Sequence, residues 1–347
     1  MKVLVTGASG FLGGHIVDGC LREGHHVRAL VRENSNHERL RAIPGLEVVR
    51  GDLRDAESLR RATQDIDIVH HSAARVVDYG SHTQFRDTNV DGTRRLLEAA
   101  RTAGAHRFVF ISSPSALMRP GDGDRLDIDE STPYPNRWFN HYSQTKAAAE
   151  QLVLAANEPA FTTCALRPRG VWGPRDHSGF LPKLVAKMRD GRLPDLSGGK
   201  QVQVSLCHCD NAVAACLRAA AAPPDRVGGK AYFIADRERT DLWAFLATLA
   251  DILELRPPTR TVPLPLTNAL AQAVELIWRL PPLTARAAPP LSRYAMALLT
   301  RSSTYNTGAA ERDFGFTPHK TQDTGLRELL AWIESTGGVE RFTKKAK

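Results

Sequence analysis

Tyr142 and Lys146 stand four residues apart in His141-Tyr142-Ser143-Gln144-Thr145-Lys146, and an Ala-rich run continues from there to Glu150. On a helix that spacing puts both side chains on one face. A phenol with a pKa near ~10 carries protons poorly at neutral pH, but a neighbouring ammonium favours the phenolate and moves the value down. The pair could therefore work as a tuned general acid or base. With six tyrosines in the chain such a spacing can also be accidental, so the surrounding elements decide.

Residues 1 to about 112 alternate short apolar runs with longer amphipathic segments, the pattern of repeated strand-helix units and a parallel sheet. Strands are expected at 2–6, 27–31, 46–50, 66–70 and 107–112, and helices over 11–23, 55–64 and 83–103. Such units build an α/β fold with a doubly wound parallel sheet of the Rossmann type, whose ligands lie at the carboxyl ends of the strands.

Each of those ends carries residues suited to a dinucleotide. Gly7, Ser9, Gly10, Phe11, Leu12 and Gly13 form a glycine-rich turn between the first strand and helix, where backbone can approach a pyrophosphate and helix N–H groups face it. At the second strand tip an arginine accommodates the 2′-phosphate of NADP and a carboxylate binds the ribose of NAD. Arg32 favours NADP(H), and the adjacent Glu33 keeps NAD(H) possible. Asp52 and Leu53 close the third strand, where Asp52 could meet the adenine amino group. Ser72, Ala73 and Ala74 close the fourth with the small residues a cofactor-facing loop needs, and His70 and His71 before them read as packed side chains. Asn89 opens a helical face toward the same region, as a structural or a functional amide. Ser113, after the fifth strand, could hold a substrate oxygen beside the phenol of Tyr142.

Thr6-Gly7-x-x-Gly10-x-x-Gly13, Asp52-Leu53, Asn89, Ser112-Ser113, Tyr142-x-x-x-Lys146 and Leu166-Arg167-Pro168-Arg169-Gly170-Val171-Trp172-Gly173-Pro174 occur in the order seen in extended short-chain dehydrogenases/reductases, which the chain resembles over nearly its whole length. Within them it is most similar to the 3β-hydroxysteroid dehydrogenase branch, and especially to bacterial 2-alkyl-3-oxoalkanoate reductases. The stretches 150–157, 165–169, 229–234 and 312–316 carry that closer likeness.

The resemblance implies that Ser113 is the substrate-oxygen donor, Tyr142 the acid–base residue, and Lys146 both the ribose ligand and the perturber of Tyr142. It implies adenine contacts at Asp52 and Leu53, a strand-end loop beside the nicotinamide at Pro168, Gly170 and Val171, and a homodimer through helices 83–103 and 142–157. The activity implied is hydride transfer between NADP(H) and a hydrophobic ketone or secondary alcohol, a 3-oxo acid or a 3-keto steroid. The sugar-nucleotide dehydratases place an Asp-Glu pair after the catalytic hydroxyl, and here Pro114 and Ser115 follow instead. An NAD-dependent NDP-sugar epimerase and a non-catalytic nucleotide sensor are the competing readings; Arg32 and the apolar C-terminal part oppose the first, and Tyr142 with Lys146 the second.

The rest of the chain supplies a second, smaller and mostly helical unit. The dinucleotide unit is expected over 1–170 with return segments at about 201–235, and the substrate unit over about 171–200 and 236–347. There, a helix is expected over 175–195, strands at 201–209 and 230–235, and helices over 242–253 and 266–280. Leu266, Leu270, Val274 and Ile277 share one side of the last, for core packing, a lid over an apolar substrate or peripheral contact with a membrane. Trp138 and Phe139 could wall the substrate site, and the acidic stretch 121–130 reads as a solvated loop.

Composition narrows the classes further. The net charge of +8 without any block of five basic residues argues against nucleic acid as a partner. The longest uncharged run, 261–274, is too short to span a bilayer, and a cytoplasmic protein is expected. Five irregularly spaced cysteines fit reduced thiols. No second ligand pair follows Cys207-His208-Cys209, so no metal is expected.

Overall fold

Val3, Leu4 and Val5 are wholly buried, and so are Phe108 and Val109. Runs covered on both faces make central strands of a parallel sheet. In the computed structural model, which describes residues 1–77, 79–177, 179–258, 261–278 and 292–344, they do so. Strands β1 (Lys2–Thr6), β2 (His26–Val31), β3 (Glu47–Arg50), β4 (Ile68–His71) and β5 (Arg107–Ile111) follow the expected runs closely. Beyond them come β6 (Arg125–Ile128), β7 (Thr162–Pro168), β8 (Val171–Trp172), β9 (Gln203–Ser205), β10 (Cys207–His208), β11 (Lys230–Ile234), β12 (Arg239–Asp241) and β13 (Ser303–Tyr305).

Seven strands form one sheet in the order β11-β7-β5-β4-β1-β2-β3, every pair parallel. Strand order reverses between β1 and β4, which opens the crevice where such sheets hold ligands. This is the doubly wound Rossmann arrangement, with a helical C-terminal region. Helices Phe11–Arg22 and Ala56–Thr63 fill their expected places, the second capped by Asp55, whose carboxylate accepts from the Glu57 N–H at 3.0 Å. The expected helix 83–103 is interrupted. It starts at His82–Phe85, widens to a π-helical stretch over Arg86–Asp91, and resumes as Gly92–Thr102.

The later segments differ more from the sequence expectation. In place of one strand over 201–209, β9 joins the four-stranded sheet β12-β9-β13-β6 and β10 pairs with β8. The next helix, Cys209–Ala221, is not evident in the sequence pattern; it docks on Phe11–Arg22 so closely that a Cβ at Gly19 would meet the Val213 side chain at 2.4 Å. The helix expected over 175–195 is confined to Phe180–Arg189, because Asp176 turns the chain by accepting from the Gly179 N–H at 2.7 Å. Within stretch 121–130, expected as a solvated loop, residues 125–128 form β6 and the rest is irregular, and three of its acids are tied to cations: Asp124 to Lys200, Asp127 to Arg239 and Asp122 to Arg119.

A second core gathers Trp172, Leu184, Val185, Leu246 and Leu329, each such aliphatic burial contributing about 2 kcal/mol. Helix Leu264–Trp278 does not bury its expected face: Leu266 is 61% and Ile277 50% exposed, Val274 is half-buried, and the side chain of Leu270 lies outside the described residues, as do positions 279–280. Among the described residues no helix is long and apolar enough to cross a membrane, and all five cysteines are free and buried.

Candidate active site

Helix His141–Ala155 is started by Asn140, whose side-chain oxygen accepts from the Ser143 N–H at 2.9 Å. It turns Thr145, Lys146, Ala149 and Glu150 inward against the sheet, with Tyr142 half-buried on the same side. The hydroxyls of Ser113 and Ser115 lie beside the Tyr142 phenol, near enough to act on it. Burial holds that phenol above its ordinary 10, and the two serine hydroxyls pull it back down.

The sequence expectation made Lys146 the perturber of Tyr142, but Lys146 is not among the groups that move the phenol. Its ammonium is turned away, donating to the Ile111 carbonyl at 2.5 Å and lying 4.3 Å above the Phe110 ring. Burial pulls Lys146 down to about 7, against the raising effect of Glu150 one turn further on.

Glu150 belongs to a buried network. Arg167 on β7 clasps its carboxylate through Nε at 2.9 Å and Nη2 at 2.6 Å, and the Tyr134 hydroxyl donates to it at 2.5 Å. Tyr142, Lys146 and Glu150 repeat at intervals of four, so the sequence does contain the signal for this third inward position.

The glycine turn is built for close approach. Gly7 has φ 70°, and a Cβ there would lie 2.8 Å from the Ala73 nitrogen, while one at Gly13 would lie 2.1 Å from the Gly7 carbonyl oxygen. Ser9 and Gly10 complete the turn, and the helix begins with Phe11 and Leu12. No side chain caps its leading N–H groups, so they are available to an anion.

Ser72 and Ala73 lie against Gly7, and Ala74 continues the same irregular segment. Their placement comes from His71, which is wholly buried between Thr6 at 2.7 Å and Thr93 at 2.9 Å. The Thr93 hydroxyl gives its one proton to the Asn89 carbonyl at 2.6 Å, so His71 Nε2 must donate to it and Nδ1 must accept from Thr6. Thr6 in turn accepts from the Ala73 N–H at 3.1 Å. Burial, with Lys146 adding to it, holds His71 down to about 3, so the ring is neutral. Neither Thr6 nor this relay through His71 is evident from single positions.

Asn89 lies in the π-helical stretch and spends its amide within the protein. Its oxygen accepts from the Arg75 N–H at 2.7 Å, and its nitrogen donates to the Thr145 hydroxyl at 3.1 Å, tying the loop after β4 to the helix of Tyr142.

At the tips of β2 and β3 three arginines meet two carboxylates. Arg50 holds Glu33 at 2.9 Å, and Arg54 clasps Asp52 through Nε at 3.0 Å and Nη2 at 2.9 Å. Arg32 is exposed and close enough to Asp52 to stabilise its charge, yet makes no ion pair among the described residues. The Asp52 carboxylate, expected for adenine, is thus already engaged by Arg54, and Leu53 is buried. Pro168 ends β7, Gly170 turns at φ 54°, and Val171 opens β8.

Trp138 donates to the Ala116 carbonyl at 2.8 Å, steadying the turn that carries Ser115, and Phe139 packs edge-on to Tyr294 under the guanidinium of Arg301. His208 accepts from the Asp210 N–H and caps the Cys209–Ala221 helix. His15, Cys209 and Asp210 bring ligand-type atoms within 4.8 Å of one another. Arg175 at 3.3 Å from His15 and Lys320 at 3.6 Å from Asp210 are charges that oppose a cation there.

Compared with known proteins, the model of the 3-beta hydroxysteroid dehydrogenase/isomerase family matches residues 4–266. The chain is 36% identical to a 4-hydroxy-2-methyl-3-oxo-4-farnesyl-3,4-dihydroquinoline-1-oxide ketoreductase of Stigmatella aurantiaca, over 95% of this chain and 96% of that one. It is 35% identical to a 2-alkyl-3-oxoalkanoate reductase of Stenotrophomonas maltophilia, over 95% and 99%. Among solved structures, MoeE5 in complex with UDP-glucose and NAD superposes with a TM-score of 0.73 at 25% identity, covering 97% of this chain and 99% of that one.

Proposed function

The chain belongs to the 3-beta hydroxysteroid dehydrogenase/isomerase family of extended short-chain dehydrogenases/reductases, NAD(P)-dependent oxidoreductases, and from that premise we propose that it reduces a hydrophobic ketone with NADPH through Ser113, Tyr142 and Lys146. The observation that carries the reading is the Tyr142 phenol beside the Ser113 hydroxyl, on a helix that Lys146 fastens to the carboxyl end of β5.

The cradle supports a dinucleotide. Gly7 and Gly13 tolerate no side chain, the helix from Phe11 has uncapped N–H groups for a pyrophosphate, and Lys146 is one turn from the phenol, where it can reach a ribose. Arg32, with both neighbouring carboxylates taken by other arginines, is suited to a 2′-phosphate. Bound there, the dihydronicotinamide supplies the hydride. Ser113 holds the ketone oxygen as negative charge gathers on it, and Tyr142 delivers a proton to that oxygen, leaving an alcohol. Lys146, brought down to about 7 by burial, becomes more fully charged beside an anionic ligand.

In this reading residues 1–170 with returns at about 201–235 hold the cofactor, and about 171–200 and 236–347 hold the substrate, with Trp138 and Phe139 on its wall. A 3-oxo acid carrying a long alkyl chain is the substrate class that fits best, consistent with the name of the relative from Stenotrophomonas maltophilia. The enzyme acts as a homodimer through the helices around 83–103 and 142–157, which light scattering of the purified protein checks. The test of the function is oxidation of NADPH and of NADH with 2-alkyl-3-oxo acids, keto-steroids and UDP-glucose. Turnover with the 3-oxo acid and NADPH is expected, and turnover with UDP-glucose alone would contradict the reading.

A further inference from the structure

We propose that Ser115 is a positioning residue that fixes Ser113 as a hydrogen-bond donor toward the substrate oxygen. The inference rests on the roles given above to Ser113 and Tyr142. A serine hydroxyl has one proton and two lone pairs. Residue 115 fills both acceptor sites of Ser113 Oγ, with its backbone N–H at 3.3 Å and its hydroxyl, donating, at 2.9 Å. The one valence left on Ser113 Oγ is its own proton, which the turn leaves for the phenol of Tyr142 or, when substrate is bound, for the substrate oxygen.

The turn is arranged to keep it so. Ser115 is 2% exposed, and Pro114 between the serines starts the tight turn Pro114–Leu117, closed by the Ala116 N–H donating to the Ser113 carbonyl at 3.0 Å. Trp138 clamps the same turn from the segment that leads into the helix of Tyr142. The other serine of the pair, Ser112, has a buried hydroxyl without a partner, so it takes no part in the relay. Ser115 also lies near enough to the Tyr142 phenol to lower it, and is therefore the shared neighbour of the group that holds the oxygen and the group that protonates it.

Without the Ser115 hydroxyl the Ser113 proton is free to rotate, and a lone pair can face the substrate oxygen instead. That orientation matters most when negative charge has developed, so the loss falls on the transition state rather than on substrate binding.

The test compares Ser115→Ala, Ser115→Thr and Ser113→Ala with the parent in NADPH oxidation by a 2-alkyl-3-oxo acid. Alongside it, the phenol of Tyr142 is titrated by absorbance as the difference from Tyr142→Phe, a readout that needs no substrate. His141, Lys146 and Glu150, the other titratable groups on the helix of Tyr142, are kept in every variant. Ser115→Ala should lower kcat about tenfold, the scale of one neutral hydrogen bond, with little change in KM and a raised phenol titration, and Ser115→Thr should restore both. Parent kcat and phenol titration in Ser115→Ala, while Ser113→Ala loses turnover, would overturn the inference and leave the role of Ser113 standing. Parent turnover in Ser113→Ala would overturn the underlying reading instead. Equal losses in the Ala and Thr variants with an unmoved phenol would make Ser115 merely structural, which also overturns the inference.

Discussion

Lys146 Nζ lies 2.5 Å from the carbonyl oxygen of Ile111, the last residue of β5, so the helix of Tyr142 is fastened to the strand that runs into Ser113. This joint, with the Asn89–Thr145 and Arg167–Glu150 bonds, holds the phenol's helix against the strand of the serine. The ammonium has few other neighbours: the Phe110 ring lies under it, and the Glu150 carboxylate is a turn away and engaged by Arg167.

That environment makes Lys146 a pH-dependent element of stability. Burial lowers it from 10.5 to about 7, so between those values the unfolded chain binds a proton that the folded chain lacks. Stability must then rise with pH from about 7 to about 10, and the buried charge destabilises below that window. Urea unfolding of the parent and of Lys146→Met should show the parent gaining relative to the variant across it. A constant gap would mean that the folded protein keeps the ammonium charged.

The Glu150–Arg167 pair is 0% and 4% exposed, and neither charge has water to fall back on. Glu150→Ala leaves the guanidinium uncompensated and should cost about 3–5 kcal/mol in denaturant unfolding. Replacing both partners with apolar residues should recover much of that, since the attraction between them largely offsets their desolvation.

Arg32 should set the cofactor preference. Losing one charge-assisted bond to a 2′-phosphate, in Arg32→Ser, should lower the NADPH over NADH ratio of kcat/KM by roughly 10- to 100-fold. An unchanged ratio would move the role to Arg50 or Arg54, which now hold Glu33 and Asp52.

Ser113→Ala should reduce kcat by about 10², the scale of one oxyanion donor, with NADPH affinity intact by fluorescence titration. Unchanged turnover would assign the substrate oxygen to another group.

The parts of this site legible in the sequence are those set by local spacing. Apolar runs mark β1 to β5, Gly7 and Gly13 mark a turn with no room for Cβ, and the interval of four puts Tyr142 and Lys146 on one helix side. What was hidden depends on distant partners. The direction of the Lys146 ammonium is decided by a carbonyl 35 residues earlier, and β13, only Ser303–Tyr305, becomes a strand because β9 and β6 flank it. The π-helical widening at Asn89 leaves no periodic signal, and Ser115 gains importance only when Pro114 folds it back onto Ser113.

The most direct measurement is single-turnover reduction of a 2-alkyl-3-oxo acid by Tyr142→Phe loaded with NADPH. The substitution removes the phenol oxygen and keeps the ring, so NADPH should bind as in the parent while turnover falls by at least about 10²-fold, the lower range for a positioned general acid. Turnover above a tenth of the parent's would contradict the assignment of the proton to Tyr142.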